Sequence, residues 1–251
     1  MRIYFAGYKS VKDVLNVEGD FGVLTSYVEV NKKGIDKIKQ PIILDSGAFS
    51  VASGRSKHTI DDYIKFLHKH KNEVEWYANL DVIGNAKETY DNQKEMEKQG
   101  LRPVPTFHYG SDFKWLKKYK EEYTFIGLGG LVPYTKRKPK LHQHLNKCFS
   151  IIKADIKAHG WGITSPETLL RYPFYSTDST SWLKFGAYGT VLSLNNLKLE
   201  CRRKRFKEQS NHITIGFDKG TEVSLHNAKI YIKLQNLITK VWEKKGIKWA
   251  S

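Results

Sequence analysis

Short apolar and β-branched runs alternate along the chain with stretches whose apolar residues recur at the helical period. Eight of these runs are predicted strands, at residues 3–7, 42–47, 75–82, 103–108, 125–130, 160–164, 174–179 and 189–194. Helices are predicted between most of them, at residues 59–71, 86–99, 111–121, 141–157 and 165–171. This alternation is typical of βαβ units that build a parallel sheet.

Eight strands in this alternation predict an α/β fold of the (β/α)8 TIM-barrel type, formed as one domain by residues 1–251. Residues 195–251 are predicted to form a basic, helical C-terminal extension of the barrel. Within it, residues 226–246 have an amphipathic helical pattern, whose apolar face is expected to pack on the barrel. A doubly wound open sheet is the alternative architecture for the same alternation.

The composition excludes several classes of protein. Hydrophobic residues make up 40% of the chain, but no run of about 18 apolar residues predicts a membrane span. The first ten residues resemble a strand more than a signal peptide, so we expect a cytoplasmic protein, in the host cytoplasm if the chain is phage-encoded. The two cysteines, Cys148 and Cys201, are too few for a cysteine-built zinc site, and no metal is expected.

The charge of the chain indicates an anionic partner. The 42 lysines and arginines outnumber the 26 acidic residues, which gives a formal net charge of +16. A chain this basic favours nucleic acid as a partner, although a run of charges is otherwise simply a solvated face. Two basic runs, at 135–140 and 198–207, supply the candidate nucleic-acid contacts: Lys136, Arg137, Lys138, Arg202, Arg203, Lys204, Arg205 and Lys207.

Polar side chains and glycines stand where the predicted strands end. These residues are Asp45, Asp81, His108, Gly129, Gly130, Thr164 and Asp178. The active sites of (β/α)8 barrels lie at this end of the strands, so the group is expected to converge on one rim. Each residue alone has a simpler explanation, since an aspartate there often caps the next helix and a single histidine is often structural.

Two carboxylates that face one pocket are the groups that act at the anomeric carbon of a sugar. One attacks the oxocarbenium-like carbon, and the other exchanges a proton with the leaving group. A neighbouring glycine pair allows backbone amides to approach a carbonyl oxygen of the ligand. Together with the basic surface, this set predicts glycosidic-bond chemistry on a nucleic acid.

Four motifs in chain order carry a family resemblance: LDSGAFS, IGLGGL, WGITSPETLL and YSTDSTSW. They resemble the tRNA-guanine transglycosylase family, over about residues 40–185. The LDVIGN and DSTSW segments are most similar to the small phage and bacterial enzymes of the DpdA type, which exchange guanine in DNA for a 7-deazaguanine. The resemblance implies a barrel fold, DNA and a 7-deazaguanine base as substrates, and no cofactor.

The resemblance also implies the catalytic pair. Asp178 would be the nucleophile that attacks the sugar carbon as guanine leaves. Asp45 would be the general acid and base that protonates the departing base and deprotonates the incoming one. Ser46 would lie beside the edge of the base.

The remaining implied roles concern binding of the base. Phe49 would stack on one face, and Trp161, where the family has a methionine, on the other, although both could simply fill the barrel. Asp81 would bind the edge of the base, unless its role is structural, and His108 stands where the family has a base-reading glutamine. In the glycine-pair motif, the amides of Gly130 and Leu131 would donate to the base carbonyl, with Gly129 preceding them.

The sequence departs from the larger tRNA enzymes at the C-terminus. Their zinc site of three cysteines and a histidine is missing, which argues against tRNA as the substrate. The alternatives are the same exchange on RNA, a base-hydrolysing enzyme, or a barrel that only binds nucleic acid. The incoming base is open between the 7-cyano form of 7-deazaguanine and a derivative.

Overall fold

The computed structural model describes residues 1–7, 17–32, 34–35, 38–187, 190–195, 197–203 and 217–249. Its centre is an eight-stranded parallel sheet, made of β1 Arg2–Phe5, β2 Gly22–Ser26, β3 Ile42–Asp45, β4 Trp76–Tyr77, β5 Thr106–His108, β6 Phe125–Gly129, β7 Lys157–Gly160 and β8 Ser176–Ser179. The strand order is β4-β3-β2-β1-β8-β7-β6-β5, and every neighbouring pair is parallel.

The sheet curls in the manner of a TIM barrel but is not closed by a continuous ladder. Its end strands, β4 and β5, are joined by an isolated parallel bridge between Ala78 and Val104. The Val104 amide donates to the Tyr77 carbonyl at 2.9 Å, and the Asn79 amide donates to the Val104 carbonyl at 3.1 Å. The predicted α/β fold with alternating strands and helices is therefore confirmed. The sheet itself is a curled eight-stranded ladder whose two end strands meet only at this single bridge.

Helices follow most of the strands. They are α1 Tyr27–Val30, α2 Ala48–Ala52, α3 Ile60–His70, α4 Ala86–Lys98, α5 Phe113–Glu122, α6 Lys138–Ile152, α7 Pro166–Arg171, α8 Ser181–Ala187 and α9 Phe217–Lys244. Two further strands, β9 Thr190–Asn195 and β10 Lys198–Arg203, form an antiparallel hairpin outside the main sheet. None of the helices in these described ranges is long and apolar enough to cross a membrane.

The sequence predicts eight strands for the main sheet, but one strand of that sheet is missing from the prediction and one predicted strand lies outside the sheet. The strand β2 is missing from the prediction because it begins with Gly22, a poor strand former. A Cβ at this glycine would lie 2.1 Å from Cδ1 of Tyr4, so the ring of Tyr4 requires a residue without a side chain. The predicted strand 189–194 is instead β9 of the hairpin, because β1 already pairs along β8.

Side chains alternate between the two faces of each strand. On β1, Ile3 and Phe5 pack outward in the large core under the helices, whereas Tyr4 points into the curl of the sheet. Leu24, Ile43, Trp76 and Trp161 fill the same interior. This packed interior fixes the strands so that their carboxyl ends form a rigid rim.

The C-terminal helix α9 packs on the sheet through an apolar face, as its amphipathic pattern predicts. Ala228, Leu234 and Ile238 on this face are fully buried. The side chain of Gln235 also connects α9 to the sheet, since its Oε1 accepts from the Ile3 amide at 2.7 Å and its Nε2 donates to the Asp20 carbonyl at 2.8 Å. The extension is therefore an integral layer of the fold.

Candidate active site

Four of the predicted site residues lie at the carboxyl ends of four strands of the sheet. Asp45 ends β3 and His108 ends β5. Asp178 is the last but one residue of β8, and Asp81 follows β4. Because the strands are parallel, their carboxyl ends meet at one edge of the sheet. The charges of Asp81 and Asp178 both act on Asp45, so the structure brings the three predicted carboxylates together.

The environment of the Asp45 carboxyl raises its pKa well above that of an ordinary aspartate. Burial raises its pKa, the Gly47 amide that donates to it lowers the pKa, and the charges of Asp178 and Asp81 raise it further, to about 7. A carboxyl with a pKa near 7 is half protonated at neutral pH, so it can both give and accept a proton. The acid and base role that the resemblance implies for Asp45 stays a prediction, and a carboxyl in this state is suited to it.

His58 contacts the backbone of the loop that follows Asp45. The Nε2 atom of His58 lies 2.9 Å from the Ser46 carbonyl, and its Nδ1 lies 2.8 Å from the Ser56 hydroxyl. The Ser46 hydroxyl is buried and has no hydrogen-bond partner among the described residues. A buried hydroxyl without a partner lowers the stability of the fold, and a ligand at the rim that bonds it would remove this cost.

Asp178 is buried in β8, and its hydrogen bonds come from the neighbouring strand β7 and the loop after it. The Gly162 amide donates to Oδ1 at 2.8 Å, and Nε2 of His159 lies 3.3 Å from the same oxygen. Gly162 has a left-handed φ of +72°, which a residue with a side chain rarely adopts. The turn after β7 is thus built to aim one amide at Asp178.

Asp81 and His108 form a pair across the rim. Their Oδ2 and Nε2 atoms are 3.0 Å apart. Burial lowers the pKa of His108, but the hydrogen bond and the charge of Asp81 outweigh burial, so the pKa is raised overall. The second oxygen of Asp81, Oδ1, is buried without a hydrogen-bond partner among the described residues, which leaves a strong acceptor for a ligand.

The glycine-pair segment lies beside this pair. Gly129 ends β6, where a Cβ would lie 3.1 Å from Cε1 of His108, and Gly130 turns the chain with a φ of +68°. The side chain of Leu131 is fully buried below the loop. The backbone of this segment therefore passes close to His108. Its amides are near enough to the rim to donate to a ligand bound there.

The two predicted stacking residues differ in environment. Trp161 is partly buried inside the sheet, with its ring 4.4 Å from His159 and 5.8 Å from Trp76, and it lines a cavity together with Asp178. Phe49 is 67% exposed on α2, and the Arg55 guanidinium lies 5.1 Å from the centre of its ring. Trp161 is thus both barrel filling and cavity wall, whereas Phe49 has a face open to solvent.

The cavity beside Asp178 is bordered by both basic runs. Thr135, next to Lys136, lines it from the loop after β6, and Cys201, next to Arg202, lines it from β10. Lys136, Arg137 and Lys138 are exposed, and Lys138 forms an ion pair with Glu167. Arg202 is exposed on β10, Arg203 ends that strand, and Lys204, Arg205 and Lys207 lie outside the described residues.

Two members of the site are missing from the sequence-based prediction. His159 bonds Asp178 from β7, and Lys184 of α8 lines the same cavity. The sequence predicts this strand at 160–164, whereas β7 is Lys157–Gly160, so His159 lies outside the predicted strand. Its alternation with Trp161 along the chain was the available signal, because both then point into the interior.

No protein-family model matches the chain, and no curated protein matches it either. Within the described ranges, no group of three or more histidine, cysteine, aspartate or glutamate side chains is arranged to hold a metal ion.

Proposed function

We propose that the protein is a transglycosylase of the DpdA type that exchanges guanine in DNA for a 7-deazaguanine base. The observation that carries the proposal is the arrangement of Asp45 and Asp178, one with a pKa of about 7 and the other held by two hydrogen-bond donors beside a cavity. A nucleophilic carboxylate and a carboxyl that both gives and accepts a proton are what exchange at an anomeric carbon requires.

The proposed reaction has two balanced halves. Asp178 forms a bond to C1′ of the sugar as the bond from C1′ to N9 of guanine breaks, and Asp45 gives a proton to the departing base. Asp45 then takes the N9 proton of the incoming base, which attacks C1′ and releases Asp178. One glycosidic bond replaces another, so no cofactor or nucleotide hydrolysis is needed.

The unpartnered polar atoms of the rim support a guanine-like base as the ligand. Guanine presents N1–H and N2–H donors on one edge, and the free Oδ1 of Asp81 is a buried acceptor that can receive one of them. The Ser46 hydroxyl, also without a described partner, can serve the same edge. The amides of Gly130 and Leu131 would serve the base carbonyl, and Phe49 and Trp161 its faces.

The charge distribution supports a polynucleotide as the carrier of that base. Exposed lysines and arginines flank the cavity on two sides, where they can bind the phosphates of a strand whose target base enters the pocket. We also propose that the curled sheet is a (β/α)8 barrel, since the bridge between Ala78 and Val104 joins its two end strands.

A base-exchange assay tests the proposal. Purified protein is incubated with duplex DNA, single-stranded DNA or tRNA, with and without 7-cyano-7-deazaguanine, and the nucleosides are then analysed by mass. We expect the modified nucleoside in DNA only, and its loss in Asp178→Asn. Asp91→Asn, which changes an exposed carboxylate on α4, is the matched control. Incorporation into tRNA would indicate the RNA enzyme, and release of free guanine alone would indicate a hydrolase; either result would overturn the proposal.

A further inference from the structure

His159 is a buried polar residue that the predicted mechanism leaves without a role. It has no exposed surface, and it points from β7 into the interior of the sheet. Aromatic rings enclose it, with Tyr4 at 6.1 Å, Trp76 at 4.9 Å and Trp161 at 4.4 Å between ring centres. A ring packed in this way has a fixed orientation, so its two nitrogens are aimed at defined partners.

Both ring nitrogens of His159 are engaged by β8. Nδ1 lies 2.8 Å from the Ser176 hydroxyl, and Nε2 lies 3.3 Å from Oδ1 of Asp178. His159 is paired with Ser176 in the register of the two strands, and Asp178 is two residues further along the same face. The sheet itself therefore places the imidazole beneath Asp178.

The partners determine where the proton of His159 lies. Oδ1 of Asp178 already accepts from the amide of Gly162, so it is the acceptor in the contact with His159 as well, and Nε2 carries the proton and donates to it. Burial lowers the pKa of His159, and the hydrogen bond and charge of Asp178 offset only part of that effect. The ring is then neutral, and its Nδ1 accepts from the hydroxyl of Ser176.

The two oxygens of Asp178 are in different environments. Oδ1 receives both donors, the Nε2–H of His159 and the amide of Gly162. Among the residues that the structure describes, none donates to Oδ2, while Asp178 lines the cavity. One oxygen is thus fixed and the other is left for a reacting partner.

We infer that His159 is a positioning residue which, as a neutral Nε2–H donor, fixes Oδ1 of Asp178 so that Oδ2 is the oxygen that attacks the sugar. This inference rests on the proposed function for the role of Asp178. When the Oδ2–C1′ bond forms, the electron pair of the broken bond leaves on N9 of guanine, and Oδ1 becomes the carbonyl oxygen of the ester. That oxygen still accepts from His159 and Gly162, so no proton of His159 moves.

The tautomer can be tested without any substrate. Nitrogen-15 NMR of histidine-labelled protein, with His159→Gln used for assignment, is expected to show a neutral ring protonated on Nε2 between pH 6 and 8. The titratable groups that face the ring are Asp178 from β8 and Tyr4 from β1. A ring protonated on Nδ1 alone, or on both nitrogens, would overturn the assignment whether or not the protein exchanges bases.

The positioning role is tested by kinetics. His159→Leu removes the donor, and we expect kcat for base exchange to fall about 100-fold with little change in KM, because a small misplacement of a reacting group has this effect. His159→Gln keeps an N–H donor and is expected to recover most of the rate. His144→Leu, at a buried histidine that contacts Cys148, is the matched control for packing and should lower the melting temperature without this loss of kcat.

Two kinetic outcomes would contradict the role. They are a wild-type kcat in His159→Leu, and equal losses in His159→Leu and His159→Gln. If the wild-type chain exchanges no base while NMR shows the Nε2–H tautomer, then the proposed function fails and the placement of the proton stands. The two failures are thereby distinguishable.

Discussion

At the scale of single residues, the neighbours of each side chain determine its chemistry. Asp45, Asp81 and Asp178 are the same residue type on one rim, yet each has a different set of partners. Asp45 has a carboxyl whose pKa is about 7, Asp81 is paired with a histidine, and Asp178 has two donors on one oxygen. Three carboxylates can therefore serve as acid and base, as ligand to a base edge and as nucleophile.

The raised pKa of Asp45 predicts how stability depends on pH. The folded state holds the proton of Asp45 up to about pH 7, whereas the unfolded chain releases it near 3.8, so this group makes the free energy of unfolding fall as pH rises through that window. Asp45→Asn removes the effect. We expect the variant to gain stability relative to wild type between pH 4 and 8, by up to about 4 kcal/mol.

Urea unfolding at pH 4, 6 and 8 measures this difference. Asp91→Asn, at the exposed carboxylate on α4, is the matched control, and its difference from wild type should be much smaller than that of Asp45→Asn at pH 8. A constant difference for Asp45→Asn would mean that the carboxyl is not held protonated by the fold.

The pair of Asp81 and His108 predicts a coupled titration. Asp81→Asn removes the charge that raises the pKa of His108, and burial then dominates, so we expect His108 to titrate at lower pH in the variant. Proton NMR of the histidine ring measures the change, and an unchanged titration would contradict the pairing. The same variant is expected to lose base exchange. Asparagine has one side-chain oxygen, so it cannot accept from His108 and from the edge of the base at the same time.

The strand ends made Asp45, Asp81, His108 and Asp178 predictable, since the period of the strand and its last residue are local features. His159 was not predictable in the same way. Its role depends on the register between β7 and β8, which pairs it with Ser176, and register between distant segments is not a local property of the sequence.

At the scale of elements, the sequence predicts helices and strands that have local signals, and it does not predict the strand β2, whose first residue is explained by a tertiary contact. The helix α3 begins where Thr59 and Asp62 form a capping box, which is a local signal. The strand β2 begins with Gly22, and only the ring of Tyr4 on the neighbouring strand explains that glycine. The amphipathic pattern of α9 was sufficient to predict both the helix and its packing.

The attachment of α9 to the sheet predicts the effect of one substitution. Gln235→Leu leaves the buried amide of Ile3 without its acceptor and the Asp20 carbonyl without its donor. We expect a loss of about 2 kcal/mol in the free energy of unfolding, measured by urea denaturation. Asn236→Leu, at the neighbouring exposed amide, should change it by less than about 0.5 kcal/mol. Equal effects would show that Gln235 does not connect the helix to the sheet.

At the scale of the whole molecule, basic residues lie both near the cavity of Asp178 and at the opposite end of the strands. The net charge of +16 is a property of the whole sequence, but Thr135, which begins the basic run that contains Lys136 and Arg137, lines the cavity of Asp178. Lys240 lies at the opposite end of the strands, beside Met1 and Arg2. The two sets of cations are therefore expected to contribute differently to nucleic-acid binding.

Salt dependence of DNA binding measures that difference. Replacement of Lys136 and Arg137 by glutamine should reduce the slope of log affinity against log salt by about 2, since each phosphate contact contributes about 0.9. The matched pair Lys240→Gln and Lys244→Gln on α9 removes the same charge and should leave the slope unchanged. If both pairs reduce the slope equally, binding is not directed to the rim around Asp178.

The proposed reaction requires that Asp178 becomes covalently bonded to the sugar. Its most direct test is to quench the wild-type protein with acid during exchange on a guanine-containing DNA oligonucleotide, digest it, and map the adduct by peptide mass spectrometry. We expect the nucleic-acid adduct on the peptide that contains Asp178, and its absence in Asp178→Asn. An adduct on Asp45, or exchange that proceeds at full rate in Asp178→Asn, would contradict the account.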